Sequence, residues 1–97
     1  MKLDIKKSNK KDKKFTATFT DKSGKVKKTT HFGAKGMSDY TIHKDKERRT
    51  RYRKRHTKDL KTNDSTRAGY LSYYILWGDS SNLRQAIKDY KKKFKYI

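Results

Sequence analysis

Cysteine and proline are both absent from this 97-residue chain, and acidic residues are scarce. Without cysteine, neither a disulfide-stapled scaffold nor a thiolate metal site can form, and the chain is compatible with a reducing compartment. Without proline there is no proline-rich linker, and the length predicts one domain, 1–97. No apolar run approaches the ~18 residues of a membrane span. We also expect no cleaved secretory signal, because the first residues lack an apolar core segment.

The scarcity of acids leaves a large positive charge. Lysine and arginine number 29 against 10 acidic residues, which gives a net charge of +19. This far exceeds the roughly 2–8 charges that keep a small domain soluble. A domain so charged repels itself and gains stability when it binds an anion. Nucleic acid is the first candidate partner, an anionic membrane surface the second and an acidic protein the third.

Period-two alternation of apolar and polar residues marks the N-terminal third of the chain. Within residues 1–14, a basic arm, the alternation around Leu3 predicts a short edge strand, followed by a solvated lysine-rich loop over residues 6–14. Phenylalanine and threonine alternate through residues 15–32 on both sides of a turn at Gly24, which is typical of a hairpin. We therefore predict an antiparallel β-hairpin or a three-stranded meander.

Residues 33–43 interrupt the strand pattern with two glycines. Ser38 or Asp39 is placed to cap a short helical turn that follows. Exposed backbone N–H groups in such a loop can cradle a phosphate. However, the spacing matches neither a P-loop nor a dinucleotide fingerprint, so we favour a tight connection between sheet and helix.

Residues 44–58 predict a helix that carries nine basic and two acidic residues, a net charge of +7. Like charges four residues apart oppose helix formation unless they are neutralised, and a bound anion is the economical explanation. We predict that one line of the helix faces inward (Arg48, Tyr52, Arg55 and His56), with arginine stems lying on the core. The candidate nucleic-acid-binding residues are the cations of this helix and its flanks: Lys35, Lys44, Arg48, Arg49, Arg51, Arg53, Lys54, Arg55 and Lys58.

Residues 66–77 form the apolar centre of the sequence and predict a third helical segment. Tyr70, Tyr73, Tyr74 and Trp77 fall at i, i+3, i+4 and i+7, which makes an aromatic stripe. A stripe of this kind can serve as a base-stacking platform. We favour a packed core helix, because little else in the chain can form a core.

Residues 81–95 predict an amphipathic helix with one apolar face: Leu83, Ala86, Ile87, Tyr90 and Phe94. We expect Gly78 to end the preceding helix as a C-cap and Asp79, Ser80 or Ser81 to cap this one. Because strands come first and about three helices follow, the fold class is α+β.

No arrangement of residues predicts catalysis, a metal site or a cofactor. The three histidines are too widely spaced for a local zinc motif. His43 lies near Asp39 and Asp45 in sequence, but basic neighbours would keep these carboxylates ionised, and we assign them structural roles. We therefore expect that the protein is not an enzyme.

The central and C-terminal segments resemble a family of small basic proteins encoded by nucleocytoplasmic large DNA viruses. The resemblance extends over about residues 15–94 and is carried by four segments: HFGAKGMSDYTIHKD, RYRKRH, AGYLSYYILWGDSSNL and IKD. It implies a viral origin, a place in the virion, and passage through host cytoplasm or nucleus during infection. It implies no catalytic residues.

These observations lead to one expected function and two alternatives. The expected function is a non-enzymatic viral protein that condenses or packages DNA through Lys/Arg–phosphate contacts with little sequence specificity. One alternative is a minor capsid or virion structural protein whose basic surface docks on acidic capsid or core proteins or on membrane. The other is an RNA-binding protein of ribosomal type.

Overall fold

The computed structural model describes residues 1–97 and shows an α+β architecture, in which a three-stranded sheet is followed by four helices. The strands are β1 (Lys2–Lys7), β2 (Lys13–Thr20) and β3 (Val26–Ala34), in the order β1-β2-β3 with both pairs antiparallel. The predicted fold class is confirmed, and the meander is the form that the sheet takes.

The register of the sheet places its apolar residues on one face. Leu3 pairs with Phe19, and Phe15 pairs with Phe32. Leu3, Phe19 and Phe32 are fully buried. The predicted lysine-rich loop is shorter than expected, because β1 extends to Lys7 and β2 already begins at Lys13. Only residues 8–12 connect the two strands.

The helical part follows the sheet in the chain, and none of its helices is long and apolar enough to cross a bilayer. A 3-10 turn, Thr57–Thr62, connects the second and third helices. The helices are α1 (Tyr40–His43), α2 (Lys46–His56), α3 (Ala68–Leu71), which continues into a π-helix (Ser72–Leu76), and α4 (Leu83–Phe94). We call α3 and the π-helix together the aromatic helix, residues 68–76.

The π-turn changes which side chains of the aromatic helix reach the core. The N–H of Trp77 donates to the carbonyl of Ser72 at 3.1 Å, an i→i+5 bond. This wider turn aligns residues five apart instead of three or four apart. The buried side chains are accordingly Tyr70, Leu71, Ile75 and Leu76.

The predicted aromatic stripe is therefore only partly correct. Tyr70 is buried, whereas Tyr73, Tyr74 and Trp77 are half-buried at the margin of the core. Their rings still pack within the protein: Tyr74 lies 5.3 Å from the ring of Phe94. The helix forms a packed core element, and these rings do not form an open platform.

Two local predictions about helix ends are wrong. Gly78 follows the aromatic helix but does not adopt positive φ. A side chain there would overlap the carbonyl of Tyr74, so the position requires glycine for lack of space. Helix α4 is capped by Asn82, whose Oδ1 accepts from the N–H of Gln85 at 3.1 Å. The residues predicted to cap it (Asp79, Ser80 and Ser81) lie ahead of its start.

Helix α4 closes the core with the apolar face that its sequence predicts. Ala86 and Tyr90 are buried, and Leu83, Ile87 and Phe94 pack around them. The hydroxyl of Tyr90 donates to the carbonyl of Ser65 at 2.6 Å. Burial raises the pKa of Tyr90 well above its ordinary value.

Candidate functional site

The basic helix α2 is shorter than its sequence predicts. Lys44 has φ of 57° and ends α1, because its N–H donates to the carbonyl of Tyr40. Asp45 then starts α2, and its carboxylate accepts from the N–H groups of Glu47 and Arg48. These hydrogen bonds hold the pKa of the Asp45 carboxyl below its ordinary value, and the bond from the N–H of Arg48 has the largest effect. Of the predicted range 44–58, only Lys46–His56 is α-helical.

The inward face of α2 contains Tyr52 and His56 as predicted, but Arg49 and Arg53 take the places predicted for Arg48 and Arg55. The half-buried residues are Arg49, Tyr52, Arg53 and His56, whereas Arg48 and Arg55 are exposed. This set has the i, i+3, i+4, i+7 spacing of one helical face. The prediction chose the wrong arginines because nothing in the local pattern shows where their acceptors lie.

Those acceptors lie at the C-terminal end of the aromatic helix. Arg53 donates through Nε to the carbonyl of Trp77 at 2.8 Å and through a terminal nitrogen to Asp79 Oδ1 at 2.9 Å. The guanidinium holds the pKa of Asp79 below its ordinary value. Carbonyls at a helix end lack partners within the helix, and Arg53 supplies one.

Arg49 has a similar structural role. Its guanidinium donates to the carbonyl of Gly78 at 3.3 Å and lies 4.6 Å above the ring of Tyr40. A cation over an aromatic face adds electrostatic attraction to the packing. Two of the nine predicted nucleic-acid-binding residues, Arg49 and Arg53, therefore hold α2 against the protein.

Tyr52 lies between these arginines and stacks between two rings. Its ring centroid is 4.3 Å from that of Trp77 at an interplanar angle of 7°, and 4.1 Å from that of His56. Burial, together with the nearby Asp59 carboxylate, raises the pKa of Tyr52 to about 12. The stack occupies both faces of Tyr52, so these rings pack the helix and are not free to stack on bases.

One exposed flank of α2 carries a ridge of three arginines, Arg48, Arg51 and Arg55. At 3.6 residues per turn they fall within about 60° of one another around the helix axis. All three are exposed, and none has an acidic partner within 4.0 Å. We call these residues the arginine ridge.

The arginine ridge forms one wall of a cleft of about 410 Å³. The opposite wall is the glycine loop, residues 33–39, and Tyr52, Leu76 and Trp77 also line the cleft. Among sequence-predicted residues, the cleft brings together Arg48, Arg51 and Arg55, and it excludes Arg49 and Arg53.

A buried ion pair fixes the glycine loop. Lys14 Nζ lies 2.6 Å from Asp39 Oδ2, and Asp39 is only 2% exposed. The other oxygen of Asp39 accepts from the N–H of Thr41 at 2.9 Å and so caps α1, as its sequence predicts. Because Lys14 and Asp39 neutralise each other, the free charge in the cleft comes from the arginine ridge.

Gly33 allows the loop to approach the aromatic helix closely. Its φ is +80°, and a Cβ atom at this position would lie 2.9 Å from Leu76 Cδ1. Only glycine satisfies both the backbone conformation and the available space. The predicted tight connection is therefore present, and it also forms a wall of the site.

The remaining predicted cations lie around the cleft. Lys35 is exposed on the glycine loop, and its backbone N–H donates to the carbonyl of Asp12 at 2.9 Å. Lys44, Lys54 and Lys58 are exposed at or near α2. Only six of the 29 lysines and arginines have a carboxylate partner: Lys6, Lys14, Lys27, Lys28, Arg53 and Arg67. Most of the positive charge is therefore uncompensated and spread over the surface.

The histidines and carboxylates serve local structure. Nδ1 of His43 accepts from the N–H of Asp45 at 2.9 Å. Asp39 caps α1 as predicted, and the structural role assigned to Asp45 is that of a cap for α2. Nδ1 of His31 lies 2.9 Å from the hydroxyl of Thr16 on the outer face of the sheet. No three histidine or acidic side chains cluster closely enough to hold a metal ion.

Lys14 and Leu76 are site residues that sequence reasoning missed. In the sequence, Lys14 is one of several lysines in the basic arm, and its partner Asp39 lies 25 residues further along the chain. Leu76 reads as a core residue. Neither shows a local signal, because the cleft forms only when sheet, loop and helix meet.

Comparison with known proteins places the chain in a family. Residues 3–56 match the model of a family of unknown function, DUF5754. The matched range contains the sheet, the glycine loop and α2. No curated protein and no solved structure matches the chain. Because the family match covers more than half of the 97 residues, the protein belongs to the DUF5754 family of unknown function.

Proposed function

We propose that the protein is a non-enzymatic nucleic-acid-binding protein, with duplex DNA as its main ligand. The observation that carries the proposal is the arginine ridge, which is exposed and unpaired on a helix anchored by other arginines. Arg51 and Arg55 are four residues apart and repel each other. A phosphate backbone relieves this repulsion, and release of its counterions supplies affinity.

The distribution of charge supports binding with little sequence specificity. Unpaired cations also lie on the N-terminal arm, the β-hairpin and α4. Contacts from such cations to phosphates position a protein on DNA without reading its bases. A molecule with cations on several sides can contact more than one duplex, which suits condensing or packaging.

The resemblance to proteins of large DNA viruses supports a place for this activity in a viral particle. In that setting the protein would meet DNA in host cytoplasm or nucleus before assembly. Its charge would offset part of the phosphate charge of the packaged genome. Electron microscopy of DNA mixed with the protein tests the condensing role, since compact particles are expected above charge neutrality.

A salt titration tests the proposal. We expect affinity for random-sequence duplex DNA to fall by about 10³–10⁵ between 50 and 200 mM salt, as for proteins that make 6–10 phosphate contacts. An acidic polypeptide of matched charge is the control ligand. Weak duplex binding, or equal binding to the polypeptide, contradicts the proposal.

A second candidate function is docking on acidic capsid or core proteins. It is favoured by Met37 and Ile42, which are 66% and 62% exposed. Exposed apolar side chains among cations can anchor a protein interface. Ile42 does not line the cleft, so Ile42→Ser should leave DNA affinity unchanged, and it should weaken binding to an acidic protein partner if this candidate is correct.

A further inference from the structure

The cleft has a shape that the surface of a duplex does not match. A duplex presents its phosphates on a convex rod, whereas the cleft is concave, with the arginine ridge on one side and the glycine loop on the other. Its volume of about 410 Å³ is near the lower end of the 300–1,000 Å³ typical of small-molecule sites. The cleft therefore suits one small unit and not a continuous helix.

The charge in the cleft is positive and concentrated. Asp39 is its one acidic lining residue, and Lys14 neutralises it at 2.6 Å. Arg48, Arg51 and Arg55 have no acidic partner and lie on one side of one helix. Guanidinium groups bind phosphate oxygens with paired, charge-assisted hydrogen bonds.

The amount of charge favours a terminal phosphate over an internal one. A phosphodiester carries one negative charge, whereas a phosphomonoester carries about 1.5–2 near pH 7. Three arginines that line one cleft gain more from the second. Ser38 also lines the cleft and is a further hydroxyl donor for a phosphate oxygen.

The cleft also offers apolar surface and a prearranged wall. Leu76, Met37 and the edge of Trp77 line it and can contact a sugar or base. The ion pair between Lys14 and Asp39 fixes the glycine loop before any ligand arrives. A site that is already ordered loses less entropy on binding.

We infer that the cleft between α2 and the glycine loop binds a phosphomonoester group, either the terminal phosphate of a nucleic-acid strand or that of a free nucleotide. The inference rests on the proposed function and specifies the ligand of the same surface. A protein with this site would hold a single strand that carries a terminal phosphate more tightly than the same strand without one.

The test compares two single-stranded oligonucleotides of the same sequence, one with a 5′-phosphate and one with a 5′-hydroxyl. We expect the phosphorylated strand to bind at least about tenfold more tightly, the effect of one or two charge-assisted hydrogen bonds. Adenosine monophosphate, with adenosine as its control, identifies the source. If the monophosphate binds and the 5′-phosphate adds nothing, the ligand is the free nucleotide.

Two double variants test whether the preference for the 5′-phosphate arises in the cleft. The double substitution Arg48→Gln with Arg51→Gln should abolish the preference for phosphate. Arg84→Gln with Lys88→Gln, the same charge change on exposed positions of α4, should retain it. Circular dichroism checks that each variant is folded.

The result that overturns this inference is distinct from the one that overturns the proposed function. Equal affinity for both oligonucleotides together with no binding of adenosine monophosphate refutes the phosphomonoester site. It leaves salt-dependent duplex binding intact. Loss of duplex binding in the wild-type protein would instead refute the proposed function.

Discussion

Replacement of Arg53 by alanine separates the arginines that build this protein from those that face its ligand. Arg53 donates to the carbonyl of Trp77 at 2.8 Å and to Asp79 Oδ1 at 2.9 Å. A hydrogen bond from a charged donor contributes about 1.5–3 kcal/mol. The pair with Asp79 adds less than about 1 kcal/mol, because Asp79 is 94% exposed. We therefore expect Arg53→Ala to lower the free energy of unfolding by about 2–4 kcal/mol.

That loss is large for a small domain, whose whole stability is about 5–15 kcal/mol. At about 4–8 °C per kcal/mol for a domain of this size, the melting temperature should fall by at least about 8 °C. Urea unfolding gives the free energy directly. The fluorescence of Trp77, the one tryptophan in the chain, reports on the environment next to the lost bond.

Arg51→Ala is the matched control. It removes the same charge from the same helix but no hydrogen bond or ion pair, so its stability should stay within about 0.5 kcal/mol of the wild type. Arg53→Lys keeps the charge but lacks the planar guanidinium group, so it should recover only part of the lost unfolding free energy. Equal stability of Arg53→Ala and Arg51→Ala would refute the structural role of Arg53.

Three further predictions follow from the packing. In urea unfolding, Gly33→Ala should be less stable than Gly36→Ala by about 1–3 kcal/mol. Both glycines have positive φ, but only at position 33 would an added Cβ atom overlap Leu76. Equal effects of the two substitutions would contradict this close approach. The pKa of Tyr52 is about 12 in the folded protein against 10.0 in the unfolded chain. Burial of the neutral phenol therefore contributes its full stabilisation below pH 10, and this contribution is lost as the pH rises to about 12. Tyr52→Phe should flatten that fall in unfolding free energy, and an unchanged slope would count against the buried position. Asn82→Ala removes the cap of α4 and should cost about 0.5–2 kcal/mol, seen as a lower melting temperature.

The sheet and α4 could be predicted because their patterns are local. Alternation of apolar and polar residues sets the faces of a strand wherever one face is buried. The register of Phe15 with Phe32 obeys this rule. The stripe that ends at Phe94 obeys the corresponding rule for a helix.

The aromatic helix and the cap of α4 could not be predicted in detail. The π-turn places Tyr70 and Ile75, five residues apart, in the same buried core, and no local pattern in the sequence marks it. The residues Asp79, Ser80, Ser81 and Asn82 are all acceptable caps, and nothing in the local sequence shows that Asn82 is the one that caps the helix. Sequence therefore predicts that these elements exist but not where they begin.

The candidate site was predictable as a charged helix but not as a cleft. Composition alone indicates that 44–58 presents cations. Which arginines face inward depends on carbonyls about 25–30 residues away, at Trp77 and Gly78. The cleft needs Lys14 and Asp39 to meet, and this contact has no local signature.

The central claim is that the arginine ridge neutralises phosphates. It is tested most directly by the salt dependence of duplex affinity in Arg51→Ala with Arg55→Ala. We predict that the slope of log affinity against log salt becomes shallower by about 2, similarly for every DNA sequence. The same measurement on Arg84→Ala with Lys88→Ala should show a smaller change. An unchanged slope in the ridge variant, or an equal change in both variants, would contradict the account.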